Sequence, residues 1–107
     1  MSVKRVPSHA EFTQIIQDHA RVAVFFSASW CGVCRKMRPV FEEYAAKFTD
    51  VHCVEVDDEE NPDSVARAGV QSFPTFKFYK DGLLSILGDV QADSGQLHEK
   101  MELLSEP

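Results

Sequence analysis

Val22 to Phe26 reads Val-Ala-Val-Phe-Phe, an apolar run without a polar break and rich in β-branched and aromatic residues. A strand with one wet face alternates apolar and polar residues, whereas an unbroken run is the pattern of a strand buried on both faces. Such a strand must be the centre of a sheet with a covering layer above and below, and helices are the natural cover. This run therefore predicts an α/β fold before any other residue is considered.

The segments around it supply the layers. Ser2 to Val6 reads as a short edge strand. Ser8 followed by Glu11 has the capping-box spacing and opens a helix with apolar face Phe12, Ile15 and Ile16, ending near His19. After Trp30 the period turns helical, with Met37, Val40, Phe41, Tyr44 and Phe48 on one face. Pro39 lies inside this pattern, and because the stripe continues beyond it, a kink is expected rather than an end. Val51 to Val56 reads as a second buried strand. Asn61-Pro62 and Gly69 mark the start and stop of a short helix carrying Val65, Ala66 and Ala68. Thr75–Tyr79 and Leu83–Leu87, separated by Lys80-Asp81-Gly82, read as an antiparallel hairpin. A last helix from about Ser94 buries Leu97, Met101 and Leu104. Crossover helices join parallel strands and the tight turn joins antiparallel ones, so the sheet is expected to be mixed.

At 107 residues one domain spanning 1–107 is expected, with enough core to fold without disulfide staples or a structural metal. The formal charge of −6 argues against nucleic acid or an anionic membrane as partner and for protein partners. Met1 to Val6 has two basic residues with no apolar run behind them, so no secretory leader is expected, and no segment approaches a membrane span. The three cysteines, an odd number, suit a reducing compartment better than a secreted framework. The expected location is cytoplasmic, with the mitochondrial matrix as the alternative.

Chemistry concentrates at Trp30-Cys31-Gly32-Val33-Cys34, a Cys-x-x-Cys after the central strand and at the start of a long helix. A helix N-terminus carries unpaired N–H groups and partial positive charge, which favours thiolate over thiol at Cys31. Cys34, one turn further, is placed to attack a mixed disulfide formed on Cys31. Half of a zinc site and a structural pair are the competing readings. Against zinc, Cys53, His9, His19, His52 and His98 form no second ligand pair of the usual spacing. Cys53 reads as a small buried hydrophobe, Arg35 and Lys36 as the solvated face of the helix, and Asp57 to Glu60 as a solvated loop without calcium-loop spacing.

The stretch Phe26-Ser27-Ala28-Ser29-Trp30-Cys31-Gly32-Val33-Cys34, together with Pro39, Val54-Glu55-Val56-Asp57, Phe73-Pro74-Thr75-Phe76, the Lys80-Asp81-Gly82 turn and Gly88, resembles the thioredoxin family over nearly the whole chain. The resemblance implies the thioredoxin fold, a central mixed sheet of about five strands flanked by four helices. It implies an oxidoreductase that reduces protein disulfides through Cys31 and Cys34, needs no cofactor beyond that redox-active pair, and is recharged by a thioredoxin reductase or another thiol donor. It also implies a cis bond before Pro74, with the backbone of Phe73 receiving an extended substrate, and places Trp30 beside Cys31 at the substrate-facing surface rather than in the core. Gly32, Val33, Gly88 and Val70 are weaker candidates for the same surface.

Two departures from the family bear on function. Thioredoxins usually carry Gly-Pro between the cysteines, whereas this chain has Gly32-Val33, a change expected to stabilise the reduced form and weaken the reductant. Where many thioredoxins bury an aspartate that helps deprotonate the resolving cysteine, this chain has Phe25, and Cys53 matches the lysine that often accompanies that acid. The expected cost is a slower release of the mixed disulfide. A specialised redox protein of less reducing poise and a thioredoxin-fold binding module are the competing functions; a secretory isomerase is disfavoured by the missing leader and by Val33.

Overall fold

The structure is a computed structural model and describes residues 3–105. In chain order its elements are β1 (Lys4–Arg5), α1 (His9–Asp18), β2 (Arg21–Ser27), α2 (Gly32–Lys47), β3 (His52–Asp57), α3 (Pro62–Arg67), β4 (Thr75–Lys80), β5 (Leu83–Leu84) and α4 (Ser94–Ser105). The strands form one mixed sheet in the order β1-β3-β2-β4-β5. β1 and β2 run parallel to β3, while β4 runs antiparallel to both β2 and β5. The apolar run Val22–Phe26 is thus near the sheet's middle, and each of its residues is fully buried, as a strand covered on both faces must be.

Alternation along the strands divides the core in two. Ala23, Phe25, Cys53, Phe76 and Phe78 face α2 and α4, meeting Met37, Phe41, Leu97, Met101 and Leu104. Val22, Val24, Phe26, Val54 and Val56 face α1 and α3, meeting Phe12, Ile16 and Val65. α2 runs unbroken through Pro39, and the residues it buries are Cys34, Met37, Phe41 and Ala45. The stripe read from sequence continues back one turn to include the second cysteine of the motif.

Local chemistry explains the ends. The Ser8 hydroxyl accepts from the Glu11 N–H at 3.2 Å, capping α1. α3 closes with Gly69 at φ +73, where the Gly69 N–H donates to Ala66 O and the Val70 N–H to Val65 O, the paired bonds of a Schellman stop. Asp81 and Gly82, at φ +52 and +83, turn the β4–β5 hairpin between the paired residues Lys80 and Leu83.

Three expectations need correction. The strand expected over Leu83–Leu87 pairs only at Leu83–Leu84; beyond it the Ser85 N–H still reaches Phe78 O, but the sheet contact then passes to an isolated bridge between Phe76 and Val90. Asp57 does not belong to a solvated loop: it ends β3 at 4% exposure, and its Oδ2 accepts from the Glu59 and Glu60 N–H groups. The edge strand expected over Ser2–Val6 is confined to Lys4–Arg5, and Ser2 lies outside the described residues.

Candidate active site

β2 delivers the chain to the rim of the sheet, and α2 begins there. Cys31 is the N-cap of α2; its Sγ accepts the Cys34 N–H at 3.1 Å, and its own N–H donates to Ala28 O. Cys31 and Cys34 are joined in a disulfide with Cα atoms 5.2 Å apart. The helical period makes the two unequal. Cys34 shares the core-facing stripe with Met37 and Phe41 and is completely buried, whereas Cys31, at the cap, keeps 5% exposure.

Around the pair the surface is apolar and open. Trp30 is 69% exposed and Val33 46%. The Trp30 ring meets Phe73 edge-on, centroids 5.8 Å apart, and Phe73 leads through a cis peptide bond into buried Pro74. Of the sequence candidates, then, Trp30, Cys31, Gly32, Val33 and Cys34 are contiguous at the start of α2, and Phe73 joins them through Trp30. A Cβ built on Gly32 would meet Arg35 Nη2 at 3.6 Å, ordinary contact, so no close approach within the chain demands glycine there. Gly88, at φ +84, is exposed and follows the turn at Ile86–Leu87 beyond β5. Val70 is not a surface residue: it is buried in the cluster facing α1 and α3.

Phe25 is fully buried beneath this centre, stacked on Phe76 at 4.8 Å and edge-on to Phe41 at 5.8 Å. Cys53 is buried in the same cluster, and desolvation pushes its thiol up to about 12, which keeps it protonated and unreactive.

A part-buried ionic group beside Phe25 was not anticipated from the sequence. Arg38 on α2 grips Glu55 on β3 with two bonds, Nε to Oε1 at 3.0 Å and Nη2 to Oε2 at 2.7 Å, and the Ser27 hydroxyl donates to Oε2 at 2.6 Å. Arg5 adds a longer contact of 3.6 Å, and the Arg38 guanidinium lies 5.6 Å from the Phe25 ring centre. Burial alone would raise the Glu55 pKa, but the Arg38 and Ser27 hydrogen bonds and the charges of Arg38 and Arg5 outweigh it and hold the carboxyl below its ordinary value. The available signal was one charged residue at the centre of the strand run Val54-Glu55-Val56. Among the described residues no cluster of His, Cys, Asp and Glu is arranged to hold a metal ion.

A mixed sheet between two helical layers, with a disulfide-forming Cys-x-x-Cys at the N-terminus of the helix that follows its central strand, defines a dithiol–disulfide exchange protein. The thioredoxin family profile matches residues 3–103, and the chain belongs to the thioredoxin family. It is 38% identical to thioredoxin 1 of Plasmodium falciparum over 100 residues, 92% of this chain and 96% of that one. It is 37% identical to chicken (Gallus gallus) thioredoxin over 102 residues, 94% of this chain and 92% of that one. Among solved structures it superposes on mitochondrial thioredoxin 3 from Saccharomyces cerevisiae in its oxidised form with a TM-score of 0.90 at 29% identity, covering 95% of each chain. Like its family, the chain is a disulfide oxidoreductase acting on protein disulfides, with the cysteine pair itself as the redox group.

Proposed function

We propose that the chain is a general protein-disulfide reductase in which Cys31 is the nucleophile and Cys34 the resolving thiol. The Cys31 thiolate attacks a substrate disulfide, forming a mixed disulfide and expelling one substrate thiolate. Cys34, deprotonated, then attacks Cys31 Sγ, closing the Cys31–Cys34 bond and releasing the second substrate thiolate. Two electrons pass from the dithiol to the substrate, and a thioredoxin reductase or other thiol donor returns them. The observation that carries this assignment of roles is the asymmetry of burial: Cys31, at the cap, keeps 5% exposure while Cys34 keeps none.

Trp30, Gly32, Val33, Phe73, Pro74 and Gly88 form the surface that receives the substrate in this reading, supported by the exposure of Trp30 and Val33 and by the Trp30–Phe73 contact. Residues 1–107 act as one domain, in keeping with a family match over 3–103. The cytoplasm is the proposed location, supported by a third cysteine left free and buried; the mitochondrial matrix is the alternative, supported by the likeness to a mitochondrial thioredoxin.

A second reading, a specialised redox protein of less reducing poise, is favoured by Val33 and Phe25. The reduction potential separates the two. Equilibration in glutathione buffers, read by alkylation and mass spectrometry, is expected to give a value near the roughly −270 mV of thioredoxin for a general reductase; a markedly less negative value selects the specialised protein. Cys34→Ser is expected to trap substrates covalently on Cys31. Capture that is only noncovalent would overturn the enzymatic roles in favour of a binding module.

A further inference from the structure

We propose that Arg38 and Glu55 form a charge-balanced pair that sets the stability of the reduced dithiol, Arg38 favouring and Glu55 opposing negative charge on the cysteine sulfurs. The inference rests on the exchange chemistry proposed above and adds two positioning residues to it. Arg38 is four residues after Cys34, one turn along α2 and at the edge of its buried stripe, where i and i+4 positions adjoin. Phe25 packs in one apolar cluster with Cys31 and Cys34, and its ring carries Arg38 at 5.6 Å. The Arg38 guanidinium thus borders the apolar cluster that holds both cysteines, and a charge acts over a longer distance through such a medium than through water.

The charges facing the pair come from every neighbouring element. Glu55 meets Arg38 from α2, Arg5 from β1 and the Ser27 hydroxyl from β2, and Arg38 also feels Glu42 and Asp57. Glu55 is 3% exposed, so its charge is only weakly screened, and Arg38 makes the shorter of its two ionic contacts, 2.7 Å against 3.6 Å for Arg5. An ion pair with one buried partner is a poor source of net stability, since desolvation of the buried charge offsets much of the attraction. Removing either partner shifts the charge balance at the edge of the cluster that holds the cysteines: Glu55 keeps only the longer Arg5 contact, and Arg38 keeps only the charges of Glu42 and Asp57.

The test is the equilibrium between the Cys31–Cys34 disulfide plus two glutathione thiols and the reduced protein plus glutathione disulfide. One protein S–S bond breaks and one glutathione S–S bond forms; two electrons and two protons move to the cysteine sulfurs, and one proton passes on to solvent where a cysteine ionises. Glu55→Gln keeps the shape and removes the carboxylate paired with Arg38, so the equilibrium constant is expected to move about three- to tenfold toward the dithiol at pH 7. Arg38→Met leaves Glu55 only the longer contact to half-exposed Arg5 and is expected to move it toward the disulfide, by up to about as much. Tenfold corresponds to about 30 mV for this two-electron couple. Arg38→Lys keeps the charge without the bidentate grip and is expected within about twofold of wild type. Urea unfolding run in parallel is expected to show stability lost in all three, so a purely structural brace cannot produce shifts of opposite sign. Shifts in the same direction, or none beyond twofold in Glu55→Gln, overturn the proposal. A wild-type protein that forms no Cys31–Cys34 disulfide at any glutathione ratio overturns instead the exchange reading beneath it.

Discussion

At position 25 a phenylalanine ring fills a slot between Phe76 and Phe41 with no exposed surface and no carboxylate. Phe25→Asp buries an acid there and deletes a ring, and is expected to cost at least about 3 kcal/mol of stability in urea unfolding. In the variant that remains folded at low temperature, the acid near Cys34 is expected to speed release of the mixed disulfide, by up to about 100-fold. Phe25→Asn, equally polar but no proton acceptor, is the control expected to lose stability without gaining rate. Equal rates in the two variants would refute a missing general base. Cys53 is a second prediction at this scale. With its thiol pushed up to about 12 by burial, it should resist iodoacetamide in the native reduced protein, so that mass spectrometry finds Cys53 unmodified until the chain is unfolded.

The helices differ in how much depends on their caps. Ser8 caps α1 at an exposed site through one 3.2 Å bond, and Ser8→Ala is expected to cost about 1 kcal/mol. Asn61 caps α3 by accepting the Ser64 N–H at 3.2 Å, and its amide also donates to Val6 O at 3.0 Å, tying the start of α3 to the end of β1. Asn61 is 2% exposed, so truncation strands a buried carbonyl as well as a helix N–H. Asn61→Ala is expected to cost about 2–3 kcal/mol, clearly more than Ser8→Ala, read as a lower denaturant midpoint with unchanged slope. Equal losses would mean that the bond to Val6 contributes nothing. The caps themselves were legible, because Ser8, Asn61-Pro62 and Gly69 act through neighbours in the chain. The second bond of Asn61 was not, since its partner is 55 residues away.

For the molecule as a whole, two groups make stability depend on pH in the same direction. His52 is stacked on His19 with ring centres 3.8 Å apart, and burial, aided by the charges of His19 and Lys4, lowers its pKa. A lowered base is protonated more readily in the unfolded chain, so stability should fall as pH drops below the ordinary imidazole value of about 6.5 and level off once folded His52 takes its proton. Glu55, held below its ordinary value, supports the fold at all pH above the normal glutamate range, and that support is lost as pH falls through its folded value. Urea midpoints are therefore expected to decline in two steps, one beginning below about pH 6.5 and one beginning below about pH 4.3. His52→Gln should flatten the first and leave the second. A first step that persists in this variant would assign it to another group.

Periodicity and punctuation by themselves determined the layers of this protein: the two-faced burial of Val22–Phe26, the helical stripe from Met37 to Phe48, and the turn at Asp81-Gly82 all follow from residues close in the chain. The Cys-x-x-Cys was likewise visible, because its chemistry needs only a helix start and a spacing of three. Only the tertiary structure decided what surrounds it. Pairing of β2 with β3 puts Glu55 beside Phe25 and Ser27, and the packing of α2 on that face brings Arg38 over both. Whether a strand residue is desolvated, and which charge compensates it, depends on partners brought together from distant parts of the chain, and no local pattern encodes that meeting.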